Sequence, residues 1–135
     1  MVVTAAARAT PHTQGKIRPM DPGRDLNVIA DLMAEAFADD LDQRGQAALR
    51  EMRLTARLWP FVWWLARADP TFQDAFNGFV WEEPAARGHR GQVVGNVSLN
   101  RSPGSRWRYI ICNVVVHEAY RGQGIGRRLT AAAIA

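Results

Sequence analysis

The 135-residue sequence predicts one α+β domain, in the order strand, two helices, three strands, helix. Three observations predict it. Apolar residues recur at helical spacing through much of the first half. Alternating and Val-rich runs follow between 76 and 116. A Gly-rich turn at 121–126 then leads into a last helical stretch. A chain of this length suits a single domain that buries roughly two-thirds of its extended surface. Hydrophobic residues make up 47% and charged residues 22%, which is ordinary globular usage. With 11 Gly and 7 Pro, a collagen-like or low-complexity chain is excluded.

Residues 1–15 are rich in Ala, Thr, Pro, His and Gln and read as a loose tail, with the domain starting at Lys16. Lys16 to Met20 is a short extended run, and Asp21-Pro22-Gly23 is a turn signal. Asp21 or Asp25 suits the cap of the helix that follows. Leu26, Ile29, Met33 and Ala36/Phe37 share a helical face, so a helix is expected from about Arg24 to Ala38. A second helical stretch runs from about Asp42 toward Ala68. Leu49, Met52, Ala56 and Trp59 share its face, and Pro60 should kink or restart it. Strands are expected at about Phe76–Glu83, Gln92–Asn100 and Trp107–Val116, forming an antiparallel meander. In the middle one, Val93, Gly95, Val97 and Leu99 take one face, and Val94, Asn96 and Ser98 the other. The last helix opens at about Arg127.

Cys112 is the sole cysteine, which excludes an intramolecular disulfide and a Cys-rich zinc site. His12 and His89 lie far apart and make no metal site. No apolar run approaches the ~20 residues of a membrane helix, and the N-terminus lacks the apolar core of a signal peptide. A cytoplasmic location is the expectation, with no membrane partner. The net charge of +4 hides an asymmetry. Residues 1–83 carry nine basic and twelve acidic side chains, whereas 84–135 carry eight Arg and a single acid, Glu118. The second segment is the expected partner for an anion.

A Val-rich strand, a Gly-rich turn and a helix start are the parts of an anion site. The first amides of a helix lack intrahelical partners, and the helix dipole places partial positive charge there. Gly122, Gly124 and Gly126 keep side chains away from the backbone, and Arg121, Arg127 and Arg128 add charge. A diphosphate suits this environment. The dinucleotide fingerprint fails, because its third glycine would fall on Arg127 or Leu129. The nucleotide P-loop fails as well, with Arg127 at its second glycine.

What fits is Arg/Gln-x-x-Gly-x-Gly/Ala, as Arg121-Gly122-Gln123-Gly124-Ile125-Gly126. The stretch from Asn113 to Leu129, with His117-Glu118-Ala119-Tyr120 before the turn, closely resembles the acetyl-CoA motif of GNAT superfamily N-acetyltransferases. The order of elements is similar too, so the resemblance covers about Lys16–Ala135, with its specific part in the last 25 residues. It implies a partial acetyltransferase domain over 16–135. On that resemblance, a fifth strand and a later helix with a tyrosine that protonates the leaving thiolate are expected beyond Ala135. The apolar, uncapped ending at Thr130–Ala135 agrees with a fragment.

The resemblance further implies acetyl-CoA as cosubstrate and direct acyl transfer to a primary amine. Val114, Val115 and Val116 would offer main-chain groups to the pantetheine arm and thioester. Arg121, Gly122, Gln123, Gly124, Ile125, Gly126 and Arg127 would hold the pyrophosphate. The catalytic base and acid stay unassigned. The acceptor is a small-molecule or peptide amine, and a homodimer stays open. Two other functions compete: a non-catalytic acyl-CoA-binding or sensing module, and a basic nucleic-acid-binding domain, which lacks a recognition motif.

Several residues have plainer readings. His117 and Glu118 read as exposed linker residues, and Glu82 and Glu83 as solvated strand-end charges. Cys112 reads as a buried small hydrophobe. Trp59, Trp63, Trp64 and Trp81 read as core before pocket lining, and Tyr120 as packing that fixes the turn. Asn113 either points into the acceptor cleft or satisfies a bulge.

Overall fold

A computed structural model describes residues 13–69, 76–85 and 91–135. Strands β1 (Lys16–Pro19), β2 (Asn77–Glu83), β3 (Gln92–Arg101) and β4 (Tyr109–Val116) form one sheet in chain order, every neighbouring pair antiparallel. Helices α1 (Pro22–Ala36), α2 (Gln43–Arg57) and α3 (Trp59–Ala66) lie between β1 and β2 in the chain, and α4 (Ile125–Ile134) follows β4. No helix of the described residues is long and apolar enough to cross a membrane.

The helix starts follow local chemistry. Asp21 caps α1 by accepting from the Gly23 amide at 3.2 Å, and Pro22 fills the first turn, where its missing N–H costs nothing. The helix therefore opens two residues before the expected Arg24, and it closes at Ala36. Asp42 caps α2 through the Gly45 amide at 2.8 Å. The expected second helix is split at Leu58, since Pro60 belongs in the first turn of a new helix rather than in the interior of an old one.

Helices cover both faces of the sheet. On one, Ile29 and Leu32 of α1 pack on Val80, Val93 and Val115. On the other, Ile125 and Leu129 of α4 pack on Trp81, Val94 and Val97, with Tyr120 against the same cluster. The register explains why Val94 shares the α4 face with Gly95 and Val97. Trp81 opposes Gly95 while Glu82 opposes Val93, so Val94 is an extra residue in β3. The expected alternation is broken at that point. A side chain at Gly95 would meet Ile125 and Leu129 at 3.1 Å, so glycine there lets α4 lie close on the sheet.

Asn96 stands between Val80 and Val115 in an apolar row, fully buried. Its Nδ2 donates to Ser98 Oγ at 3.0 Å, and its Oδ1 has no partner among the described residues. Asn96→Val should complete the row, remove an unsatisfied oxygen and raise stability by about 1 kcal/mol. A lower melting temperature in calorimetry would contradict this account.

Two expectations about charge are corrected. Glu83 is buried rather than solvated. It accepts from Trp81 Nε1 at 3.1 Å, from the Gln14 amide at 3.0 Å and from the Thr13 hydroxyl. Residues 13–15 are thereby tied to the sheet rather than loose, and Thr13 N–H also reaches Gln123 Oε1 at 2.6 Å. Residues 1–12 of the expected tail, and His89, lie outside the described residues. Glu82 holds Arg18 at 2.8 Å, within a network that no local sequence pattern announces. Arg18 also grips Asp25, which is 2% exposed, through two bonds of 2.7 and 2.8 Å. Asp25 is therefore not the cap. The Asp25 carboxylate first, then Glu82, outweigh partial burial and hold the Arg18 guanidinium above its already high ordinary pKa.

The tryptophans divide. Trp81 is core, and Trp59 is half-buried with an edge-on contact to Phe76 at 5.5 Å. Trp63 and Trp64 are more than half exposed, which corrects the expectation of core for the set. They sit on α3, an eight-residue helix that is apolar around its circumference and buries only Ala66.

Candidate active site

At the end of β4 the chain is held by main-chain and local side-chain bonds. His117 N–H donates to Val94 O at 2.7 Å, and His117 Nδ1 accepts from the Ala119 amide at 3.1 Å. The ring thereby caps the short 3-10 turn at Glu118–Tyr120. His117 is thus a half-buried structural link rather than the exposed linker residue expected. Its other nitrogen lies 3.8 Å from Glu35 on α1. Arg121 Nε donates to Val116 O at 2.9 Å and so straps the turn to the strand end.

Gly122 and Gly124 then adopt left-handed backbone, at φ +80° and +82°. Side chains other than Gly rarely take this conformation. A Cβ at either position would meet no protein atom within 4 Å, so both face open space. Gly124 is the N-cap of α4, with no side-chain cap, and no acidic residue occupies the first turn. The helix opens at Ile125, two residues before the expected start. The bond from Arg128 N–H to Gly124 O, at 3.0 Å, leaves the amides of Ile125, Gly126 and Arg127 without intrahelical partners. The turn is thus a run of main chain before a positive helix end, with open space at the Cβ positions of both glycines. It fits an anionic diphosphate.

The expected site residues fall into distinct roles. The Ile125 side chain is buried in the core, so only its amide faces the turn. Gln123 points its Oε1 at Thr13. Arg127 is exposed, while Arg128 lies over the Trp81 ring at 4.6 Å. Val114 is 40% exposed, Val115 is core and Val116 half-buried. These three pair with Val97, Asn96 and Gly95 along one edge of β4; the other edge has no strand beside it among the described residues.

β4 has a bulge of its own. Val97 opposes Val114 while Leu99 opposes Ile111, so Cys112 and Asn113 together face Ser98. Asn113 thus belongs to the bulge, as one of its two readings had it, and it also lines a cavity of about 320 Å³ between the sheet, α1 and α2. Cys112 lines the same cavity and is half-buried rather than buried. Met20, Leu26, Ile29 and Met52 make its apolar side. Ser98, Asn77 and Glu51 are polar groups on its wall. Glu51 and Ser98 were missed in the sequence. The available signal was the spacing of Ala48, Glu51, Met52 and Thr55, which all line the cavity and recur every three or four residues.

Residues 33–135 match the family model described as Acetyltransferase (GNAT) family. The chain belongs to the GNAT acetyltransferase family. No curated protein and no solved structure gave a match. The family supports an acyltransferase role, and the α+β architecture agrees with a GNAT-like fold. The match begins inside α1 and takes in β2, β3, β4, the glycine turn and α4.

Proposed function

We propose that this GNAT protein is an N-acyltransferase that uses acetyl-CoA to acylate a primary amine. One observation carries the reading: two left-handed glycines with open space at their Cβ positions, immediately before an uncapped helix start. That arrangement suits a diphosphate that must approach the backbone closely. Arg127 adds charge beside it, and Arg121 fastens the turn to β4.

Acetyl-CoA would supply an activated thioester. The chain's part is binding, orientation and charge. The edge of β4 at Val114–Val116 has main-chain groups for the pantetheine amides and for the negative charge that develops on the acyl oxygen. The bulge at Cys112–Asn113 lies on the same strand and borders the cavity, which gives an amine a separate approach from the α1–α2 side. Two substrates entering from different sides favour direct transfer in a ternary complex.

Isothermal titration of the protein with acetyl-CoA tests the reading, with thiol release over a panel of amines as the second measurement. Saturable binding and amine-dependent thiol release are expected. No binding at millimolar ligand overturns the proposal. Binding without thiol release for any amine would instead favour the sensing module.

A further inference from the structure

We propose that the cavity beside the β4 bulge accepts a small amine with one positive charge and an apolar body, and that Glu51 selects it by pairing with the ammonium group. This rests on the acyltransferase reading above.

The cavity, about 320 Å³, lies at the low end of the range for small-ligand pockets. Its apolar side is formed by Leu26, Ile29 and Met52. Glu51 is the one charged side chain among the described residues that line it. It sits exposed on α2, with no ion-pair partner among the described residues. The nearby Arg53 is occupied by Asp31 at 2.6 Å, so that guanidinium is engaged elsewhere. A single carboxylate among the polar groups on the wall matches one cation, and Leu26, Ile29 and Met52 face its apolar body. A polyamine or basic peptide would bring further ammonium groups with no carboxylate for them, and unpaired charge in a partly apolar site is costly.

The chemistry balances with Glu51 in this role. The amine arrives as R–NH3+ and loses one proton, and its lone pair forms the bond to the acyl carbon. The carbon–sulfur bond breaks and sulfur keeps the electron pair. The second proton lost from nitrogen balances the one gained by the thiolate. The sum is R–NH3+ plus acyl thioester giving amide, thiol and one proton. Glu51 holds the ammonium before the first proton leaves, so its effect falls on acceptor affinity. It is a specificity-determining residue.

The test compares wild type with Glu51→Gln, using 2-phenylethylamine and hexylamine as monoamine probes and spermidine as the polycation. Binding of each amine is measured by titration without acetyl-CoA, and KM and kcat with it. The expected result is that Glu51→Gln weakens monoamine binding and raises KM about three- to fivefold, as loss of one solvent-exposed ion pair should. Acetyl-CoA affinity and kcat should change little. Unchanged monoamine affinity in the variant, or tighter binding of spermidine than of the monoamines by wild type, overturns the proposal. Glu51-dependent amine binding without acetyl-CoA binding would uphold the cavity assignment while removing the acyltransferase reading. Glu51 is exposed on a helix surface, so the variant should fold, and circular dichroism checks this.

Discussion

A Gly124→Leu variant is expected to fold with a modest loss of stability and to bind acetyl-CoA about a hundredfold more weakly, roughly 3 kcal/mol. The two effects separate because they have different origins. The stability loss comes from φ +82°, which costs a residue with a Cβ about 1–2 kcal/mol. No packing term adds to it, since a Cβ there meets no protein atom within 4 Å. The binding loss comes from the same open space, which the side chain would fill where the diphosphate must approach. Gly124→Asn sharpens the test, because Asn tolerates left-handed backbone and should keep nearly all the stability while still losing affinity. Titration with acetyl-CoA, alongside thermal unfolding, reads both. Wild-type affinity in Gly124→Leu would remove the diphosphate from this turn.

Arg18→Ala should give the largest loss of stability, about 3–5 kcal/mol. Arg18 uses three guanidinium nitrogens at once, with Nη1 and Nη2 on Asp25 and Nε on Glu82. Removing it leaves Asp25, 2% exposed, with the Asp21 amide at 2.7 Å and no cation in contact. An uncompensated buried charge costs far more than the pair contributes. Arg18→Lys should recover only part, because one ammonium cannot make the bidentate contact and the third bond together. Because the guanidinium's pKa is raised in the folded state by the two carboxylates, its stabilising effect is fully present at neutral pH and is lost on the alkaline side only in strong alkali. Urea unfolding at neutral pH measures the loss; a change below about 1 kcal/mol would mean that water replaces the missing cation, as at exposed pairs.

Much of the fold was legible in the sequence, for reasons visible in particular residues. The α1 face (Leu26, Ile29, Met33) and the Asp21-Pro22-Gly23 start carry strong local signals, and helix and turn stand where they point. The glycine turn was legible because left-handed backbone and an exposed helix start both demand small residues. The rest depended on contacts distant in sequence. The bulge at Val94 shifts a strand by one residue, and an alternating pattern does not reveal which residue is the extra one. Glu83 looks like a surface charge until Trp81 and Thr13 close over it from 2 and 70 positions away. Glu51 meets Asn113 only because α2 and β4 line the same cavity.

The extra residue in β4 also sets how the strand tolerates change. Deleting Cys112 or Asn113 would leave one residue opposite Ser98, as in an unbroken ladder, while Ile111 and Val114 keep Leu99 and Val97 as partners. Val115 would stay in the core with Ile29 and Leu32. The bulge is therefore a local device: a protein shortened there by one residue should still fold, with only the cavity wall formed by Cys112 and Asn113 redrawn.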